Sequence, residues 1–182
     1  RLYFVTLPES TLENARGEAK LLMSSLESEW GLTDLRVETS ELVKLQVALA
    51  SGDRGVTVAV FEATLIIGVW SGLFDAPRGV ALDVGSTTVA AHLCDLATGD
   101  VLSSASVMNP QIPFGEDLMS RVSYIMMHPE GAEAMSSAIQ TALSKLFAEL
   151  TDQLGEPTDN ILEVSLVANP IMHHLVLGIN PI

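Results

Sequence analysis

The stretch that decides the fold runs from Gly79 to Asp100 and reads GVALDVGSTTVAAHLCDLATGD. An apolar run leads into Asp83, and a second apolar run begins at Val89. Between them lie Gly85 and three consecutive hydroxyl residues, 86–88. Glycine favours a tight turn because it tolerates positive φ and lets another group approach the backbone closely. The pattern therefore predicts a strand, a tight turn and a returning strand.

The same turn contains the parts of a nucleotide-phosphate site. Hydroxyls and free backbone N–H groups at a turn form a cradle for an anion. An acid at the end of the first strand, here Asp83, can hold a metal ion such as Mg²⁺ or its waters. The residues predicted to face phosphate are Gly85, Ser86, Thr87 and Thr88. From these residues alone, a plain hairpin with a helpful glycine remains equally open.

The charge of the chain is acidic and uneven. The 182 residues carry a net charge of −14. Residues 1–72 have six basic and ten acidic side chains, a net −4, whereas residues 73–182 have three and thirteen, a net −10. This balance argues against nucleic acid and anionic membranes as partners, since both need a cationic face. The acidic surface serves solubility or docks a partner protein.

Cys94 is the single cysteine of the chain, which excludes a disulfide framework and favours the cytoplasm. One thiolate cannot hold an iron–sulfur cluster, which needs about four. No apolar run approaches the ~20 residues of a membrane-spanning helix. The chain begins at Arg1, so we expect a processed or truncated piece of a longer protein.

Periodicity and turn residues predict two domains of α/β class. Residues 1–72 follow the order β-α-β-α-β-β, typical of a small α+β domain. Ser10 or Thr11 is predicted to begin its first helix, and Gly31 and Gly52 to end its two helices. The turn-rich residues 71–78 are the predicted linker. Residues 79–182 follow the order β-β-β-α-α-β-α, which is the plan of a ribonuclease-H-like subdomain in the acetate kinase, sugar kinase and actin superfamily (ASKHA).

A proline-bearing loop and the helix after it hold a second group of candidates. Either these residues line the nucleotide cleft or meet a partner, or they only begin a helix and form an ordinary i,i+4 pair between Asp117 and Arg121. The candidates are Asn109, Gln111, Glu116, Asp117 and Arg121.

Several motifs together resemble the reductive activators of corrinoid proteins. The first is the turn, ALDVGSTT, followed by DLATG at 95–99. The others are NPQ at 109–111, FGED at 114–117, and Asn169 with MHHL at 172–175 and LGINP at 177–181. The resemblance covers nearly the whole chain. It places residues 1–72 in the middle, linker-like domain of the family and residues 79–182 in the first subdomain of an actin-like ATPase.

The resemblance implies an ATP-dependent protein that returns Co(II) of a partner corrinoid protein to Co(I) for methyl transfer. The electron would come from a [2Fe–2S] ferredoxin-like domain upstream of this chain. Asp83 would hold Mg²⁺ waters or orient the attacking water, the turn would face the phosphates of ATP, and Asn169 would border the cleft. A second ATPase subdomain would complete the cleft, and a homodimer is a further expectation.

The family usually has Gly-Asn-Thr-Thr before MHHL, whereas this chain has Ala168, Asn169, Pro170 and Ile171. The loss of two hydroxyls and of one backbone donor leaves the effect on nucleotide handling open. The adjacent His173 and His174 point about 100° apart on a helix, so packing or a polar contact is favoured over a metal site.

Two other functions remain open from the sequence. The first is a sugar or acyl kinase of the actin-like type, which would use the same phosphate turn with a general-base Asp elsewhere. The second is a non-catalytic docking module that binds its partner without nucleotide through its acidic surface.

Overall fold

A computed structural model describes residues 1–9, 17–50 and 54–182. The chain divides into two compact units, Arg1–Pro77 and Arg78–Ile182. The predicted helix start at Ser10 or Thr11 and the predicted stop at Gly52 lie outside the described residues. None of the described helices is both long and apolar enough to cross a membrane.

The first unit has the predicted order of elements. One four-stranded sheet has the strand order β1-β3-β4-β2, with β2 parallel to β4 and the other pairs antiparallel. Leu22, Leu26 and Leu45 on its helices are buried against the sheet. The elements are β1 (Leu2–Thr6), α1 (Glu18–Trp30), β2 (Arg36–Val37), α2 (Thr39–Ala50), β3 (Gly55–Phe61) and β4 (Leu65–Ser71).

The end of α1 is as predicted. Gly31 follows the helix with φ of 68°, and its N–H donates to the Glu27 carbonyl oxygen. This left-handed conformation is one that glycine adopts without a steric penalty, which is why the helix ends there.

The second unit also follows the predicted order, and its α/β class is confirmed. Three antiparallel strands form the predicted meander, and a fourth strand joins its edge in parallel. The elements are β5 (Arg78–Val84), β6 (Thr88–Asp95), β7 (Val101–Met108), α3 (Leu118–Met127), α4 (Gly131–Asp152), β8 (Ile161–Ala168) and α5 (Pro170–Val176).

The strand order β7-β6-β5-β8 places β5 at the centre of the sheet. Alternate residues of β5 enter the core, where Val80, Leu82 and Val84 pack with side chains of α3, α4 and α5. The intervening residues of β5, among them Asp83, are exposed on the opposite face. Period-2 alternation therefore keeps the acid at the strand end outside the core.

Cys94 is half-buried and does not belong to the core. Its neighbour Leu93 is fully buried in the core. Because successive side chains of a strand point to opposite faces, Cys94 lies on the face of β6 that the helices do not cover.

An ion-pair cluster closes the other end of the sheet. Arg78, at the start of β5, donates from Nε and Nη2 to the two carboxylate oxygens of Glu156 at 2.9 and 2.7 Å. Its Nη1 donates to Asp95 Oδ2 at 2.6 Å. These bonds lower the pKa of Glu156. The pKa of Asp95 is also lowered, mainly by the N–H of Ala97 and further by Thr98 and Arg78.

These shifts predict a stability that is lost in acid. A carboxylate whose pKa is lowered in the folded state stabilises it above its ordinary pKa, which is 4.5 for Glu156, and ceases to do so as pH falls through the lowered value. Arg78→Met should therefore lower Tm at pH 7, and the difference from the wild type should shrink between pH 5 and pH 3. Thermal melts across this range test it. Lys145→Met, at an exposed position of α4, is the matched control, and an equal Tm difference at all pH values would contradict the prediction.

Candidate functional site

The turn between β5 and β6 is closed by its own backbone. The N–H of Gly85 donates to the Thr88 carbonyl oxygen at 3.0 Å. A Cβ atom at position 85 would lie 2.9 Å from that same oxygen, closer than real Cβ contacts allow. Glycine is thus required here by the close approach of the backbone. Thr87 and Thr88 are exposed, and Ser86 is half-buried.

Three successive carbonyl oxygens of this turn face into the unit. Asn109 Nδ2 donates to the Gly85 oxygen at 2.7 Å, and Arg121 Nη2 donates to the Ser86 oxygen at 2.5 Å. The backbone N–H of Asn109 donates to the Thr87 oxygen at 2.8 Å. The stretch from 109 to 121 therefore supplies a donor for each of the three carbonyls.

The orientation of these carbonyls sets that of the next N–H groups. A trans peptide unit points its C=O and its N–H in opposite directions. The N–H groups of Ser86 and Thr87 follow the carbonyls held by Asn109 and Arg121, so they are directed away from those two side chains. The N–H of Thr88 instead points back across the turn, because Thr88 begins β6 and its carbonyl accepts from Gly85. Consecutive N–H groups with this orientation favour an anion.

Asp83 and Asn169 lie at the same edge of the sheet as the turn. Strands β5 and β8 are parallel, with Asp83 opposite Val167 and Val84 opposite Ala168. Their carboxyl ends therefore meet at one edge, where ligands bind in many α/β sheets. Asn169 follows β8 directly, and its Oδ1 accepts from the N–H of Met172 at 3.0 Å, which caps α5.

The predicted candidates Asn109 and Gln111 are buried, with 1% and 0% exposure. Asn109 Oδ1 accepts from the N–H of Gln111 at 2.9 Å, and Gln111 Nε2 donates to the Met135 carbonyl oxygen on α4 at 3.1 Å. Both side chains therefore brace the loop against the turn and the long helix. At this burial they offer no surface to a partner protein.

Arg121 has no exposed surface, although it is a cation. Its Nε donates to the Gly115 carbonyl oxygen at 2.9 Å, and Nη1 lies 3.5 Å from Gln111 Oε1. Burial lowers the pKa of this guanidinium, and the charge of Asp117 acts in the opposite direction. The side chain points inward to the turn instead of pairing with Asp117 along the helix surface.

Asp117 and Glu116 are exposed. Asp117 is the N-cap of α3, and its Oδ1 accepts from the N–H of Ser120 at 2.8 Å. The hydrogen bonds from Ser120 lower the pKa of Asp117. The structure thus gives Asp117 the helix-starting role that was one of its two interpretations. It brings neither acid into the buried network behind the turn.

Met172 belongs to this network and was not singled out in the sequence. Its sulfur lies 3.2 Å from Arg121 Nη1 and 3.8 Å from Asn109 Nδ2. A signal was present, because Met172 is three residues after the Asn169 cap and so faces the core on the first turn of α5. Hydropathy alone gives no hint that a buried methionine contacts a guanidinium.

The two histidines of α5 are adjacent, but their rings lie apart. His173 is exposed, and the ring centroids of His173 and His174 are 6.5 Å apart. Within residues 1–9, 17–50 and 54–182, no group of three His, Cys, Asp or Glu side chains could hold a metal ion.

Taken together, the meander, the acid-glycine-hydroxyl turn, the helices on one face and the parallel fourth strand define a ribonuclease-H-like unit. The chain belongs to the RACo family. Residues 78–182 match the family model described as the RACo middle region, and residues 1–76 match the one described as the RACo linker region. The predicted resemblance to the reductive activators is confirmed.

Two relatives agree with this assignment. The chain is 33% identical over 103 residues to the corrinoid activation enzyme RamQ of Eubacterium limosum, a match that covers 57% of this chain and 17% of RamQ. It is similar, at 29% identity and a TM-score of 0.77, to a solved structure described as a reductive activator for corrinoid, iron-sulfur protein. That match covers 100% of this chain and 29% of the other. The chain therefore spans less than a third of either relative.

The capping role of Asn169 can be tested alone. Asn169→Ala should lower the free energy of unfolding by about 1 kcal/mol, because the N–H of Met172 loses its acceptor. Asn169→Asp keeps an acceptor oxygen and should remain close to the wild type. Urea unfolding followed by circular dichroism measures both. Equal stability of the Ala and Asp variants would contradict the assignment.

Proposed function

We propose that this chain takes part in the ATP-dependent activation of a corrinoid protein, in which Co(II) gains one electron and becomes Co(I) for methyl transfer. The observation that carries the proposal is the turn at 85–88, whose three carbonyls accept from donors in residues 109–121, so that the N–H groups of Ser86 and Thr87 are directed away from those donors. Membership of the RACo family, and relatives described as corrinoid activators, support a function in corrinoid activation.

The residues at the sheet edge fit a nucleotide phosphate. The outward N–H groups of Ser86 and Thr87, and the hydroxyls of Ser86, Thr87 and Thr88, would bind phosphate oxygens, and Gly85 lets the backbone come close. Asp83, exposed at the end of β5, would hold the waters of Mg²⁺ or orient the attacking water. When bound, MgATP supplies the free energy for the uphill reduction. These roles need positioning and charge neutralisation rather than covalent chemistry.

The residues of this chain do not fit a [2Fe–2S] cluster. Cys94 is its only cysteine, and such a cluster takes about four protein ligands. In the proposed function, the [2Fe–2S] group therefore belongs to a domain outside residues 1–182, and no electron-transfer step is assigned to this chain.

Family membership favours this function over an actin-like sugar or acyl kinase. The alternative function, a non-catalytic docking module, can be distinguished from the proposed function by experiment, because such a module would bind its partner without nucleotide. Exposed residues such as Glu116 remain candidates for contact with the corrinoid protein, whereas the buried Asn109, Gln111 and Arg121 act from behind the turn.

Asp83 offers the most direct test. Asp83→Asn in the full-length protein should slow activation of the corrinoid protein by about 100-fold or more, since charge placed at the reacting phosphate contributes on that scale. Because Asp83 is exposed, the variant should keep its Tm and its iron content. Anaerobic spectroscopy of the cobalt state measures the rate. Asp100→Asn, at an exposed acid in the β6–β7 turn, is the control, and a normal rate in Asp83→Asn would favour the docking module.

We also expect a polypeptide limited to residues 1–182 to bind MgATP far more weakly than the full-length protein. The proposed cleft needs a second subdomain to enclose the nucleotide, and ligand sites of this kind bury most of the ligand surface. Calorimetric titration of both proteins decides this. Tight, Mg²⁺-dependent binding by residues 1–182 alone would contradict the expectation.

A further inference from the structure

Arg121 is a buried cation whose partners are neutral. Its described hydrogen bonds go to the carbonyl oxygens of Gly115 and Ser86, the amide oxygen of Gln111 and the sulfur of Met172. Burial of a charge without an opposite charge is costly. A neutral donor could form a hydrogen bond to a carbonyl without the free-energy cost of burying a charge. The hydrogen bonds to the turn therefore do not by themselves explain why a guanidinium occupies this position.

The second buried arginine of the same unit shows the usual solution. Arg78 has 9% exposure and forms ion pairs with both Asp95 and Glu156. It stands at the opposite end of β5 from the turn. The two residues therefore differ in their partners, since Arg78 forms direct ion pairs, whereas Arg121 forms none and has only the more distant charge of Asp117 opposite it.

The positive charge of Arg121 acts in an acidic setting. Residues 73–182, all of them described, carry three basic and thirteen acidic side chains. Of the three basic ones, Arg78 is paired and Lys145 is exposed on α4. A net charge of this sign repels phosphate. Arg121 lies directly behind the turn, where its distance to the Ser86 oxygen is 2.5 Å and water does not screen it.

We propose that Arg121 is a positioning residue that fixes the Ser86 peptide and places a positive charge without a direct ion-pair partner behind the turn, so that a phosphate group of the nucleotide becomes its counter-ion. The guanidinium draws the Ser86 carbonyl inward, which turns the next N–H, that of Thr87, outward. Its charge favours an anion on the other side of the same peptide. This inference rests on the proposed function, because it takes the nucleotide phosphate as the ligand.

The test uses the full-length protein with three variants. Arg121→Met removes the charge and the hydrogen bonds at similar length. Arg121→Lys keeps the charge but cannot reach all four acceptors. Arg78→Met is the matched control. Like Arg121, Arg78 is a buried arginine of the second unit, but it lies at the opposite end of β5 from the turn. Circular dichroism confirms that each variant is folded.

Two measurements are made on each protein. Calorimetry gives the Kd for MgATP and for adenosine, which lacks phosphate. Amide hydrogen exchange without any ligand is measured at Gly85 and Asn109, whose N–H groups donate to the Thr88 and Thr87 carbonyls and so report the order of the turn. Arg121→Met should bind MgATP about 10- to 100-fold more weakly, the range for hydrogen bonds and charges at a buried group, with little change for adenosine. In Arg121→Met, amide exchange at Gly85 and Asn109 should be faster, and Arg121→Lys should give values between those of Arg121→Met and the wild type.

The outcomes separate the inference from the proposed function. Unchanged MgATP affinity in Arg121→Met, or an equal loss in Arg78→Met, would overturn the inference and leave the nucleotide site standing. An equal loss for adenosine and MgATP would overturn the role of the charge. A wild-type protein that does not bind MgATP would overturn the proposed function and the ligand together. Amide exchange at Gly85 and Asn109 would then still decide whether Arg121 fixes the turn.

Discussion

The second unit depends on one constraint, which is that three consecutive carbonyls of the 85–88 turn need donors from inside the protein. Asn109 and Arg121 supply them. Because these donors come from a loop and a helix more than twenty residues further along the chain, the turn can take its shape only when that loop and α3 are in place. The turn is therefore a product of tertiary structure and not of a local hairpin preference, although Gly85 makes it sterically accessible.

The same constraint links the three elements at the sheet edge. The loop after β7 reaches the turn through Asn109, α3 reaches it through Arg121, and α5 joins through the sulfur of Met172. The backbone of α3 packs closely against Gly115, since a Cβ atom at position 115 would lie 2.7 Å from the backbone nitrogen of Arg121. This contact fixes the start of α3. A displacement of any one element would leave a buried carbonyl or the guanidinium without a partner, which costs more than the bond itself contributes.

Much of the fold could be predicted from the sequence because its signals are local. Gly31 ends α1, alternation marks Val80 to Val84 as a half-buried strand, and Asn169 followed by proline marks the start of α5. The direction of the Arg121 side chain could not be predicted, because an Asp and an Arg four residues apart suggest a surface pair. Only the structure shows that Asp117 caps the helix and Arg121 is buried. The half-buried state of Cys94 follows from which face the helices cover, and the sequence of β6 does not specify this.

The departure at Pro170 and Ile171 can now be placed on this edge. Pro170 is at the first position of α5 and has no N–H, and the N–H of Met172 is already taken by Asn169. The helix has only seven residues, so its dipole adds little to an anion site. The helix start therefore contributes few donors of its own. Under the proposed function, the turn amides and the buried charge behind them would hold the phosphate, so the geometry at Ser86 and Thr87 would matter more than the hydroxyls missing from α5.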